Sequence, residues 1–95
     1  VILTFTAPLW LWNGKGSWHF VTLPEGEAMM IRMAVPRRGF GSVRVKARVG
    51  DTAFATSLFP DSKSASYLLP VKADVRKSER LVPGDAVTVT LSLDL

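Results

Sequence analysis

The chain has no cysteine and a single histidine among its 95 residues. Without cysteine there can be no disulfide, no thiolate nucleophile and no cysteine-ligated zinc or iron–sulfur centre. One imidazole and eight scattered carboxylates fall short of a transition-metal site, which takes several imidazole or thiolate ligands. Asp61 near Ser62 and Ser64 offers oxygens for calcium, but Lys63 between them opposes it. No metal and no other cofactor is expected. Long apolar runs are missing too: none approaches the roughly 18–20 residues that cross a bilayer, so no membrane partner is expected. The opening Val1-Ile2-Leu3 run lacks the basic start of a signal peptide. A chain without cysteine suits a reducing compartment, and a cytoplasmic location is expected.

Catalytic signatures are equally scarce. There is no Gly-x-Ser-x-Gly turn, and Ser17 neighbours His19 only in sequence. A triad would need an acid and a nucleophile brought to that histidine by folding. Gly14-Lys15-Gly16 is a turn, not a phosphate loop: His19 stands where the dinucleotide pattern wants a third glycine. The reading is a protein that is not an enzyme.

What is present is alternation. Val43, Val45, Ala47 and Val49 interleave with Arg44, Lys46 and Arg48, a period of two that predicts a strand with one face in the core and a row of cations on the other. Gly50-Asp51 predicts a tight hairpin turn with glycine first, and Thr52 to Phe59 its returning strand. Leu3 to Trp12 also alternates, with Pro8 predicting a sheet edge or bulge because it cannot donate to a ladder. Asn13-Gly14 predicts a reversal through positive φ angles, and Ser17 to Leu23 the partner strand of a hairpin. Ser66 to Val71 is a further strand. In the last strand Val87, Val89, Leu91 and Leu93 share a face, entered from a Pro83-Gly84 type II turn.

Two short helices interrupt the strands. Thr22 and Glu25 have the spacing of a capping box ahead of a helix over Glu27 to Met33. Val71, Val75 and Val82 repeat at four and seven, predicting an amphipathic helix over Lys72 to Leu81. Pro36 to Gly41 is a loop. The fold expected is mainly β: one domain, a small six-stranded barrel with one or two short capping helices, closure removing sticky sheet edges.

Trp18-His19-Phe20-Val21-Thr22-Leu23-Pro24, Phe54-Ala55-Thr56-Ser57-Leu58-Phe59-Pro60, Tyr67-Leu68-Leu69-Pro70-Val71-Lys72 and Gly84-Asp85-Ala86-Val87 together resemble the bacterial domain of unknown function 1905 family. The resemblance implies a small β-barrel, similar to the double-split barrel of dimeric transcription regulators. Leu81 to Val89 echoes that fold locally. It implies no activity and no catalytic residues.

Three groups of side chains remain as candidates. Trp10, Trp12 and Trp18 lie across one predicted hairpin, where packing against one another is their ordinary role. A sharper expectation places Trp18, Tyr67 and Arg76 together at one end of the barrel around a small anionic ligand. Each of the two rings has a polar tip, and the guanidinium can anchor an anion. The third group is the row Arg44, Lys46 and Arg48, with Arg37 and Arg38 just before it and Lys72, Arg76, Lys77 and Arg80 on the second helix. A net charge of +4 permits contact with a polyanion without requiring it. The function expected is a binding or accessory module for a small ligand or protein partner, as a monomer or homodimer. A nucleic-acid-binding regulator using the basic strand face is the alternative.

Overall fold

Strict alternation over seven residues commits a strand to one buried and one solvated face, and a sheet that closes on itself buries the inner faces of all its strands. The computed structural model describes residues 1–35 and 41–93. It contains β1 (Ile2–Leu11), β2 (His19–Thr22), α1 (Glu25–Ala34), β3 (Val43–Val49), β4 (Thr52–Asp61), β5 (Ser66–Pro70), α2 (Ala73–Glu79) and β6 (Ala86–Ser92). The strands close into an antiparallel barrel in the order β1-β2-β5-β4-β3-β6. The mainly β, six-stranded barrel with two short helices is therefore the fold the sequence predicts.

Register follows parity. On β3, Val43, Val45, Ala47 and Val49 are buried while Arg44, Lys46 and Arg48 are exposed. Phe5 pairs with Val89, Val89 with Val49, and Ala47 with Leu91, so the inward residues of three strands meet in one core. Tyr67, Leu69 and Val71 supply the inward face beyond β2. A slip of one residue on any strand would turn its whole apolar set to water.

Pro8 ends one ladder and precedes another. The N–H of Leu9 donates to the Asp85 carbonyl and that of Leu93 to the Val1 carbonyl, so odd positions of β1 face β6. The Pro8 nitrogen therefore faces β2, just beyond the last β1–β2 pair, Leu9 with Val21. No ladder bond is lost there, as the expected edge position requires. Gly50 (φ 57) and Gly84 (φ 98) take their predicted turn positions, and the Asp85 N–H closes the second turn onto the Val82 carbonyl at 3.1 Å.

The helices cap opposite ends. α1 lies by the start of β5, with Ala28 and Ile31 buried and Arg32 donating to the Ala65 carbonyl at 2.7 Å. α2 lies at the other end, with Val75 buried and Glu79 accepting the Thr52 hydroxyl at 2.6 Å. Three local expectations are corrected. Thr22 caps nothing: α1 begins after Pro24 without a side-chain cap, and the Thr22 Oγ1 instead accepts the Trp10 indole N–H at 2.9 Å. Glu25 and Glu27 in the first turn complement the helix dipole. Val82 is not part of an apolar stripe but 59% exposed, because α2 stops at Glu79 and Arg80 turns the chain in the left-handed region (φ 54). Asn13-Gly14 does not supply the positive φ of the first reversal, which falls on Gly16. The Pro36 to Gly41 loop lies, but for Gly41, outside the described residues, and so do Arg37 and Arg38.

Candidate functional site

Outward parity on β1, β2, β5 and β4 gathers aromatic side chains on the outside of the barrel. Trp12 extends β1 opposite Trp18, its N–H donating to the Trp18 carbonyl at 2.9 Å. Trp10 pairs with Phe20, Phe20 with Pro70, and Phe59 with Leu68. The rings pack as these rows place them. Trp10 and Phe20 are tilted with centroids 5.3 Å apart, and Trp18 and Phe20 are stacked at 5.9 Å with planes within 7°. Such pairs are favourable beyond the area they bury, by about 0.5–1.5 kcal/mol. The packing nevertheless leaves the outer surfaces of Trp12, Trp18 and Phe59 between 41 and 50% exposed. Between them runs a groove of about 470 Å³, with Asn13 at the Trp12 end and Asp61 and Lys63 at the other.

Two glycines hold this end in shape. The Trp12 indole lies directly on Gly14, where any Cβ would collide with the ring, and a Cβ on Gly16 would stand 3.3 Å from Trp18 Cδ1. Asn13-Gly14 is thus a spatial requirement of Trp12 rather than a conformational one.

At the end where β2 begins and β5 leaves for α2 lies a second hollow, of about 240 Å³. It is lined by Ser17, Trp18, His19, Pro70, Val71, Lys72, Ala73 and Arg76. Its geometry is fixed from the backbone outward. The Val71 N–H donates to the His19 carbonyl at 2.9 Å, continuing the β2–β5 ladder. The Arg76 Nη1 donates to the Val71 carbonyl at 2.7 Å, which holds the guanidinium against the barrel end. His19 Nδ1 lies 2.8 Å from the Ser17 carbonyl; a carbonyl can only accept, so Nδ1 carries the proton and Nε2 is left for other partners.

Of the three residues expected to converge, two do. Trp18 and Arg76 line the same hollow. Tyr67 does not join them. Its ring is 6% exposed in the core, and its carbonyl accepts the Leu23 N–H at the α1 end of the β2–β5 ladder. Trp18 stands opposite Lys72 at the far end, five residues or about 16 Å away along the strands. The alternation of Tyr67, Leu69 and Val71 carried that signal in the sequence. Trp10, Trp12, Phe20 and Phe59 line the groove with Trp18, and Lys72 lines the hollow with it.

Asp61 is held below the usual carboxylate range. The Ser64 hydroxyl, donating at 2.7 Å, is the main cause, helped by the Ser64 N–H at 3.2 Å and by the Lys63 charge. The carboxylate at the far end of the groove is therefore ionised at neutral pH. Among the described residues, no group of three or more histidines, aspartates and glutamates is placed to hold a metal ion.

The basic row lies on the opposite side of the barrel. Arg44, Lys46 and Arg48 pair with Ser57, Ala55 and Ala53 on β4, and Lys46 and Arg48 with Ser92 and Thr90 on β6. Thr88 and Thr90 face Thr6 and Thr4 on β1, hydroxyl to hydroxyl at 2.8 and 3.2 Å. The outward residues of these rows are cations, hydroxyls and alanines, with the exposed Ile2 at the β1 end of the Lys46 row. Only Arg44 of the three cations has a side-chain hydrogen bond among the described residues, to Ser57 Oγ at 3.2 Å. No described helix is long and apolar enough to cross a membrane.

The fold and this surface define a class: closed, small antiparallel barrels with a filled interior, whose distinguishing residues lie outside. Comparison with protein families then places the chain. It matches the model of the domain of unknown function DUF1905 over residues 5–91, nearly its whole length, and belongs to that family. No curated protein matches it.

Proposed function

We propose that this barrel is a binding module rather than an enzyme, and that the aromatic groove centred on Trp18 receives a small ligand or an exposed side chain of a protein partner. The observation that carries the reading is the exposure of Trp12, Trp18 and Phe59 around one groove. Exposed aromatic surface of this kind costs solubility without adding to the core, and apolar pockets with a few polar groups at the rim are the usual form of ligand sites. The lone histidine shares its hollow with Ser17, but its Nδ1 is committed to the Ser17 carbonyl and no described carboxylate lines the hollow to orient it as a base for acyl-transfer chemistry.

The test is a titration of labelled protein with a panel of small aromatic molecules, followed at the three indole N–H signals, one per tryptophan. Saturable shifts of the Trp12 and Trp18 signals are expected, and Trp18→Ala should abolish them. Ligands that bind elsewhere and leave these signals unmoved would overturn the reading.

A second reading, a nucleic-acid-binding regulator, is supported by the exposed row of Arg44, Lys46 and Arg48, whose described strand neighbours carry no carboxylate. Phosphate contacts release condensed counterions, so affinity for DNA or RNA would fall steeply with salt. Changing the three residues to glutamine would lower the slope by about one unit per contact. A salt-independent or unchanged affinity would dismiss that reading.

A further inference from the structure

Trp18 belongs to both concavities: it walls the aromatic groove on one side and the Lys72–Arg76 hollow on the other. We infer that the ligand of this site is an aryl anion, a flat ring bearing one carboxylate or phosphate, with its ring in the groove and its charged group over Trp18 against Lys72 and Arg76. The inference rests on the proposed binding function and adds the chemistry and direction of the ligand.

Each part of the site favours one part of such a molecule. Indole and phenyl faces accept a further ring at stacking distance. The hollow offers a guanidinium and an ammonium, and no carboxylate is among the described residues that line it. Asp74, the nearest in sequence, is turned to the Val75 N–H at 2.9 Å. Arg76 is already oriented by the Val71 carbonyl, so one of its five N–H donors is engaged and the others can meet an oxyanion with little further ordering. The far end of the groove has the opposite character. There the ionised Asp61 stands with Lys63, and an anion gains nothing over a neutral group. The ligand's direction follows from this asymmetry.

The experiment compares two anions with their neutral counterparts: indole-3-acetate with indole-3-acetamide, and adenosine monophosphate with adenosine. Dissociation constants are read at the Trp12 and Trp18 indole signals of the whole chain in low salt. At least one anion should bind about tenfold tighter than its neutral partner, the factor expected of a charge-assisted hydrogen bond. Which pair shows it distinguishes a carboxylate from a phosphate ligand. Lys72→Gln and Arg76→Gln should each reduce the ratio and together bring it to about one. Arg76→Lys, which keeps a donor for Val71, guards against a folding defect. Neutral probes that bind at Trp18 with no advantage for either anion would overturn this inference and leave the binding function standing. An anion preference that persists in the Lys72→Gln/Arg76→Gln double variant would also overturn it. Silence of the indole signals with all four probes would remove both.

Discussion

Replacing Val89 by alanine tests the register on which every outward position depends. Val89 is fully buried and stands between Phe5 of β1 and Val49 of β3, all pointing inward. The change deletes two methyl groups, worth about 1.6 kcal/mol in lost burial at 0.8 kcal/mol each. A residual cavity adds to that, because strands tied on both sides by a closed barrel can collapse only partly, and the total should reach about 2–3 kcal/mol. For a chain of this size such a loss lowers Tm by about 10–20 °C. Urea unfolding should show the midpoint falling by about 1–2 M with the slope unchanged. The control is the adjacent residue. Thr88 is exposed, and its hydroxyl meets that of Thr6 in water, so Thr88→Ala should stay within about 0.5 kcal/mol. If Thr88→Ala costs as much as Val89→Ala, β6 is out of register by one residue, and the assignment of the cationic and hydroxyl face falls with it.

Arg80→Gly should stabilise the protein by about 0.5–1 kcal/mol, since Arg80 holds a left-handed conformation (φ 54) at the end of α2 that glycine adopts without strain; a loss of stability on thermal melting would refute this. Gly14→Ala should expel the Trp12 ring, red-shifting tryptophan emission, and Gly14→Asn should do the same because Gly14 has no positive φ to satisfy; a native-like Gly14→Asn spectrum would restore the conformational reading. The Ser64 amide signal should titrate with Asp61 at a midpoint below the ordinary 3.8 and not at all in Asp61→Asn. With the folded pKa depressed, the turn's contribution is complete above the unfolded value and is lost as pH falls through the folded one. A midpoint at or above 3.8 would contradict the hydrogen bonding described.

Much of the barrel was legible because alternation is a local signal. β3, the Gly50 turn and β4 could be drawn from Val43 to Phe59 alone, and the inward set of β6 from Val87 to Leu93. The site was less so, for a topological reason. β2 pairs with β5 across the intervening α1, β3 and β4, which brings Phe59 and Leu68 to Trp10 and Phe20, and Lys72 and Arg76 to Trp18. Nothing near those residues in sequence announces that pairing. Trp18 and Arg76, singled out for the chemistry of their side chains, do line one hollow. Tyr67 was included for the same reason and was misplaced, since its inward parity was outweighed by its hydroxyl. Thr22 and Gly14 show a further limit. A capping box and an Asn-Gly turn are patterns of backbone need, yet here both residues answer to an indole, Trp10 in one case and Trp12 in the other.

On the proposed reading, the barrel separates stability from recognition by parity. Inward positions are filled mainly with aliphatic side chains, together with Phe5, Phe54, Tyr67 and Thr56, so the interior supplies cohesion and the outside is free to carry recognition. Outward residues of a closed sheet bear little of the folding free energy, because no second layer packs on them except beneath the helices. Aromatics could then collect on β1, β2 and β4 while β3 and β6 carry cations and hydroxyls, with the same core behind both. Trp18→Ala and the Arg44, Lys46 and Arg48 substitutions should accordingly alter binding far more than stability. Paired denaturation and binding measurements on these variants would expose the opposite result, a loss of folding that tracks the loss of binding. In that case the aromatic groove is a structural cluster, and its exposure a consequence of packing rather than of recognition.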